Sequence, residues 1–357
     1  MADETPLPLN PAPQGRAQAD RPVRYGVMGA GLIGTYLGGL LALAGRDVTL
    51  VGRGAVQGAI AKNGLVLSDY TGRQRAADGF VFATQPAMLA RCDVVLITVK
   101  SPATEAAARA LAPHIDSAAL VVSFQNGVRN AARLEAALPG NRVLPGLVPF
   151  NVASPAPGRF HKGTQGALWM RSAGGLRVQD MVAAFIEAEQ SFEMEHPFHP
   201  LLWGKLLMNL NNPLNALHGG GLRAGLMQGA YRRVLAQLVV EGLRAVEADG
   251  IAPKTPAGLG PHALPWVLRL PTPLFALVMH LRLRIDARAR SSMLEDLERG
   301  RESENPWLQG EIIRLGRRHG VDVETHRRVA EAVEAAFATG ESPRLSGRQM
   351  VRRFLRG

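Results

Sequence analysis

A single cysteine, Cys92, in 357 residues excludes a disulfide framework. It stands in the lead-in to the apolar run Val94–Val99 and reads as a small core residue, and the composition fits a reducing cytosol. Aromatics are scarce at 5%, and no dense basic run interleaves with them, so the net charge of +11 is weak support for a nucleic-acid surface. Residues 341–357 hold five Arg against Glu341, and the remaining excess is scattered. An anionic small-molecule substrate or a phosphorylated cofactor accounts for it equally well. CxxC, HExxH and GxSxG are missing, so zinc chemistry and serine hydrolysis are unsupported and no metal is expected. His196 and His199 flank Pro197 without forming a metal site. There is no internal repeat. Residues 1–21 lack a basic start followed by an apolar block, which argues against a signal peptide; rich in Pro and Ala, they read as a disordered tail. Lysine is scarce too. Only Lys62, Lys100, Lys162, Lys205 and Lys254 stand among 41 basic residues.

With 46% hydrophobic and 20% charged residues, the chain is that of a globular protein with a large core, long enough for two domains. Between Arg24 and Arg46 lies an uncharged stretch long enough to cross a membrane. Its glycines argue otherwise. Tyr25–Met28 is a short strand, Gly29-Ala30-Gly31-Leu32-Ile33-Gly34 is GxGxxG, Thr35–Ala44 is a helix, and Asp47–Val51 is a second strand. Strand, glycine turn, helix and strand in this order make the dinucleotide-binding βαβ unit. Gly29 permits the tight turn, Gly31 lets the backbone approach a pyrophosphate, and Gly34 lets the helix pack on the sheet. The second strand runs into Arg53 with no acid for a ribose hydroxyl, which favours the 2′-phosphate of NADPH over NAD; a plain surface cation is the other reading.

Short strands are expected at 65–67 and 80–82. Two buried parallel strands follow, 93–99 ending at Lys100 and 120–124 ending at Gln125-Asn126-Gly127. Ligands of open α/β sheets bind beyond such carboxyl ends, so Lys100 and Asn126 are candidates, with an ordinary turn as the alternative. From Ala183 the pattern turns helical. A helix over 201–217 carries Lys205, Asn209 and Asn212 at i, i+4 and i+7 on one face of an otherwise apolar segment. That stripe is either a wet face or a buried polar cluster. Asn is a poor helix former, and a Lys in an Arg-rich chain suits proton transfer, both of which favour the cluster. Further helices are expected over 229–249, about 274–298 with Ser291 and Ser292, Asn305–Gly320 and about 325–338. Residues 344–357 read as a basic, frayed tail, a surface helix being the alternative.

A glycine turn opening an α/β half, followed by an all-helical half with a Lys–Asn helix, resembles the ketopantoate reductase family (2-dehydropantoate 2-reductase). The resemblance covers about residues 22–338 and rests on GAGLIG at 29–34, Arg53, TVK at 98–100, QNG at 125–127, WGKLLMN at 203–209, SSM at 291–293 and SE at 303–304. It implies an NADP-binding Rossmann-type domain over 22–196 and an all-helical catalytic domain over 197–340. It also implies NADPH-dependent reduction of ketopantoate to (R)-pantoate, for pantothenate and coenzyme A synthesis in the cytoplasm. Carried over, Lys205 is the general acid, Glu304 sits near Lys205 and the substrate hydroxyl, and Asn126 links Lys205 with the nicotinamide side. Asn209, Asn212 and Ser292 bind substrate, and Gly29, Ala30, Gly31, Leu32, Ile33, Gly34, Arg53, Lys100 and Asn126 hold the cofactor. The implied partner is a small 2-oxo acid, with no nucleic acid and no membrane; a homodimer stays open.

Two departures stand out. The family spaces its second Asn four residues after the first, whereas Pro213 holds that place here, so either the helix kinks or Asn212 is not the equivalent residue. The acid often found two residues after the family's Glu is Pro306 here. A related reductase of another 2-oxo acid or ketone, or a non-catalytic NADP-binding sensor, are the competing readings.

Overall fold

The computed structural model describes residues 21–256, 259–282 and 290–355. The chain opens with β1 (Arg24–Met28), α1 (Leu32–Leu43), β2 (Asp47–Val51), α2 (Gly54–Asn63), β3 (Leu65–Asp69), β4 (Gln74–Ala77), β5 (Phe80–Ala83) and β6 (Val94–Ile97). It continues through α3 (Thr104–Leu111), β7 (Leu120–Ser123), α4 (Asn130–Ala137), β8 (Arg142–Leu147), β9 (Val152–Ala156), β10 (Arg159–Lys162), β11 (Leu168–Arg171), α5 (Leu176–Glu187) and β12 (Phe192–Glu195). Eight strands form one sheet, in the order β12-β11-β8-β7-β6-β1-β2-β5. From β8 to β5 every pair is parallel; β11 pairs antiparallel with β8, and β12 runs parallel to β11, so these two strands oppose the other six. A smaller sheet, β4-β3-β10-β9, packs against α1.

The pleat explains why the central strands are apolar at every position. Val94 and Leu96 of β6 face a core with Leu37, Leu40 and Met181 of α1 and α5. Val95 and Ile97 face the opposite core with Ala107, Leu111 and Leu134 of α3 and α4. A parallel sheet covered on both faces leaves no polar side. Cys92 is buried in that second core, where desolvation pushes its thiol up to about 12, so it holds no reactive thiolate. Among the described residues no helix is long and apolar enough to cross a membrane, and no group of three potential ligands stands ready for a metal.

The second half is helical, as expected: α6 (His199–Asn209), α7 (Asn211–His218), α8 (Leu222–Leu226), α9 (Gly229–Ala248), α10 (Leu264–Leu268), α11 (Thr272–Arg282), α12 (Ser292–Glu298), α13 (Gln309–His319), α14 (Glu324–Thr339) and α15 (Gly347–Phe354). Its core gathers around α9, which touches α6, α8, α10, α13, α14 and α15.

The structure corrects several expectations. The helix over 201–217 is two helices, parted at Leu210. Pro213 has no amide proton, and its ring opposes the carbonyl four residues back, which belongs to Asn209. The first helix therefore stops at Asn209, and the second restarts with Pro213 in its first turn, where no donor is needed. The helix over 274–298 is α11 and α12; residues 283–289 between them lie outside the described set. Ser291 is the N-cap of α12, its Oγ accepting from the Leu294 amide (3.2 Å). The basic tail is not frayed. Ser346 and Gln349 close a capping box, and Met350 and Phe354 are buried against the helical core. Residues 1–20 lie outside the described set, whereas Arg21 is tied to Asp93 by two hydrogen bonds of 2.6 and 2.7 Å.

Candidate active site

The glycine turn joins β1 to α1. Gly29 has φ +103, and a Cβ there would lie 2.5 Å from the Val99 amide nitrogen, so the fold itself demands glycine. Gly31 differs. A Cβ on it would meet nothing nearer than the Gly29 carbonyl, at 3.9 Å. The space it would fill lies over the first turn of α1, where the N-cap supplies no side-chain hydrogen bond and no acid is present. Free amides at a helix N-terminus and an open glycine face fit a pyrophosphate. Ala30 donates its amide to Val51 O (2.8 Å), while Leu32, Ile33 and Gly34 supply the first turn. Arg53 ends β2 as the N-cap of α2, exposed and without an ion pair among the described residues.

Beyond the carboxyl ends of β6 and β7, two loops are locked together. Ser101 Oγ donates to Asn126 O (2.9 Å), Asn130 Nδ2 to Ser101 Oγ (3.0 Å), and Gln125 Nε2 to Val99 O (3.0 Å) and Thr104 Oγ1 (2.8 Å). Val128, just after, packs into the helical core. The loop bearing Asn126 is therefore fixed to both halves.

A small cavity closes where these loops meet the helices. Its walls include Asn126, Asn209, Asn212, Ser292, Glu304 and Trp307. The break at Leu210 places Asn209 on the last turn of one helix and Asn212 on the first turn of the next, and both reach the same space. Its volume is about 10 Å³, room for one water.

Lys205, one turn before Asn209, is not on that wall. Its Nζ donates to Pro149 O at 3.5 Å, and among the described residues no carboxylate pairs with it. Burial therefore lowers it to about 8. Glu304 forms no ion pair with Lys205, the neighbour that the family pattern implies. It accepts from Lys100 Nζ (3.1 Å) and the Ser101 amide (3.3 Å). Lys100 also bonds Asp296, at 2.9 Å. Burial pulls Lys100 down, but Glu304 and Asp296 together outweigh it and raise it. Lys100 thus ties the end of β6 to the helical half.

Sequence reasoning passed over Asp296, Ser101 and Trp307. Asp296 sits between Glu295 and Glu298, in an acid string that reads as a wet face. Its spacing from Met293, one turn back on the same buried side, is the only signal. Trp307 is one of four tryptophans; its indole N–H is buried with no partner, and the Arg133 guanidinium lies 5.4 Å from its ring.

A phosphate cradle on a parallel sheet, a polar cavity at the strand ends and a helical second half define a NAD(P)-dependent oxidoreductase. The family model described as Ketopantoate reductase PanE/ApbA matches residues 25–175, and its C-terminal counterpart matches residues 198–337. The 2-dehydropantoate 2-reductase of Halobacterium salinarum is 29% identical over 326 residues, covering 89% of this chain and all of that protein. A ketopantoate reductase structure from Ralstonia eutropha superposes with a TM-score of 0.75 at 28% identity, over 89% of this chain and 99% of the other. D-mandelate dehydrogenase, solved with NADH and anilino(oxo)acetate, shares the fold at a TM-score of 0.74 and 17% identity, over 89% and 99% of the two chains. The chain belongs to the ketopantoate reductase family.

Proposed function

We propose that the protein reduces 2-dehydropantoate to (R)-pantoate with NADPH, as a cytoplasmic step of pantothenate synthesis, residues 22–196 binding cofactor and 197–340 binding substrate. The observation that carries this reading is the meeting of Asn126, Asn209, Asn212, Ser292 and Glu304 at one cavity beside the glycine-turn half. NADPH held by the glycine turn and Arg53 would supply the hydride. The chain's own residues manage charge and orientation. Ser292 and the amides of Asn209 and Asn212 offer donors to a substrate carboxylate and hydroxyl. Lys205 gives its proton to the carbonyl oxygen as negative charge builds there. Its resting partner is a neutral carbonyl at 3.5 Å, so no carboxylate holds the proton back. Glu304, anchored by Lys100 and the Ser101 amide, keeps its face toward the cavity as an acceptor for the substrate hydroxyl.

A second reading, reduction of another 2-oxo acid, is favoured by Pro306, which stands where the family often has an acid. One experiment addresses both: NADPH oxidation followed with ketopantoate and a panel of 2-oxo acids, for wild type and Lys205→Ala. Turnover highest with ketopantoate, and lost in Lys205→Ala while NADPH still binds, is expected. Faster turnover of another acid transfers the substrate assignment, and activity surviving in Lys205→Ala removes the proposed general acid.

A further inference from the structure

Arg232, near the start of α9, is 1% exposed. Its guanidinium donates to the carbonyls of Leu268 (3.0 Å), Leu226 (2.7 Å) and Leu270 (2.9 Å) and to Thr272 Oγ1 (3.2 Å). The Phe275 ring lies 4.3 Å away. Every one of these partners is neutral. They satisfy the N–H groups but leave the charge standing, whereas buried charges are ordinarily paired. No described carboxylate forms an ion pair with Arg232.

Beside it opens a cleft of about 320 Å³, lined by Gly229, Ala230, Arg232, Arg233, Arg269 and Thr272 among others, with no Asp or Glu in its wall. That volume suits a small ligand. Arg233 and Arg269 are exposed and make no ion pair among the described residues. Three arginines therefore line one opening with no described counter-charge. The first residues of α9 add to the same sign. This 20-residue helix has no acid in its first turn, and its N-cap Gln228 gives it no side-chain cap. The Gln228 Oε1 is spent instead on the Gly347 amide (2.9 Å), which docks basic α15 at the same place.

The structure assigns to this cleft a second anion site, one that takes a phosphate dianion, free or as the head of a phosphomonoester. It shares no residue with the glycine turn or with the Asn–Ser–Glu cavity, and it does not depend on which 2-oxo acid is reduced. Arg232 lends its charge, since its own N–H groups are spent, and the forks of Arg233 and Arg269 match phosphate oxygens in pairs, with the Thr272 hydroxyl a further polar group. An occupant would bind the segment 268–272 to the start of α9.

The test is calorimetric titration of the full-length protein with inorganic phosphate and, separately, ribose 5-phosphate, at an ionic strength held constant with chloride. Wild type should bind at one site. The double variant Arg233→Ala/Arg269→Ala should bind at least about tenfold more weakly, a loss of about 1.4 kcal/mol. Arg53→Ala should leave this binding within about a factor of two. Tighter binding of the ester identifies a phosphorylated metabolite as the ligand, and equal binding identifies phosphate itself. Both exchanged arginines are exposed, so an unchanged melting temperature certifies the double variant's fold. No heat in wild type, equal affinity in the double variant, or loss confined to Arg53→Ala overturns the assignment.

Discussion

Lys205 differs from Lys100 and Arg129 in having no described carboxylate beside it. Lys100 has Asp296 and Glu304; Arg129 has Glu311. Burial alone then acts on Lys205 and brings it to about 8, close to the pH at which a proton donor works best. The sign of the pH dependence follows. Reduction needs the protonated amine, so kcat for the 2-oxo acid should stay level below pH about 8 and fall about tenfold per unit above it. Oxidation of the 2-hydroxy acid needs the free amine and should show the opposite limb. Rates measured in both directions check this, and parallel limbs would rule out Lys205 as the titrating group. Charge is also the proposed role of Arg53. It is exposed and makes no ion pair among the described residues, so on that proposal Arg53→Ala should raise the NADPH Michaelis constant by about tenfold or more and leave that for NADH nearly unchanged, as expected for one charge-assisted phosphate contact. Equal effects on both cofactors would remove the 2′-phosphate argument. Both residues could be singled out from sequence because each breaks a local pattern, a lysine among arginines and an arginine where an acid is usual. Asp296 could not. Its neighbours are also acids, and only the tertiary position of α12 separates the buried one from the wet ones.

Elements were legible where their periodicity was strong. The strands of the βαβ unit, the two apolar strands and α9 stand within a residue or two of their sequence-based bounds, and α1 starts three residues earlier than expected, at Leu32. The small sheet was read only in part, since β4, β9 and β10 are four or five residues long, β4 and β10 carry polar and charged residues, β9 is mostly exposed, and none shows a two-residue alternation clear enough to see in sequence. The break in the Lys–Asn helix was visible as an anomaly, Pro213, but its outcome depended on whether a second helix could restart and bring Asn212 back to the same space. Helix termini also explain a residue that looks ordinary in sequence. Glu241 lies inside α9, 5% exposed. Its carboxylate accepts from the Thr325 amide (3.1 Å), the Thr325 hydroxyl (2.6 Å) and the His326 amide (3.4 Å), so one helix caps the N-terminus of α14. Glu241→Gln keeps the shape and removes the charge. It should lower stability by about 1–2 kcal/mol, read as a shift of the denaturant midpoint at unchanged slope. An unchanged midpoint would mean that the α14 terminus is satisfied without it.

At the scale of the molecule, the cavity sits on a seam between the sheet half and the helical half. Leu147, Phe198 and Leu201 form an apolar cluster at one place on that seam. Elsewhere it is held by charge: Lys100 with Asp296 and Glu304, and Arg129 Nε with Glu311 Oε1 at 2.6 Å. A space of about 10 Å³ admits a water, not a 2-oxo acid, so the proposed function requires the walls to part for substrate and close around it. The ionic contacts bear on that equilibrium more than the apolar ones, because they join the loops that carry Lys100 and Asn126 to the elements that carry Glu304. Arg129→Ala tests this without orphaning a buried charge, since Glu311, 1% exposed, keeps Arg314 at 3.1 Å. With Arg129 partly exposed, the pair is worth about 1 kcal/mol. If it favours the closed arrangement, its loss should raise the Michaelis constant for the 2-oxo acid by about fivefold and leave kcat nearly unchanged. Amide exchange should quicken in residues 125–130 and 305–311 and stay constant at β6. A fall in kcat at constant Michaelis constant would instead place Arg129 with the reacting groups. No change in either constant or in exchange would mean that the two halves hold together without the Arg129–Glu311 pair.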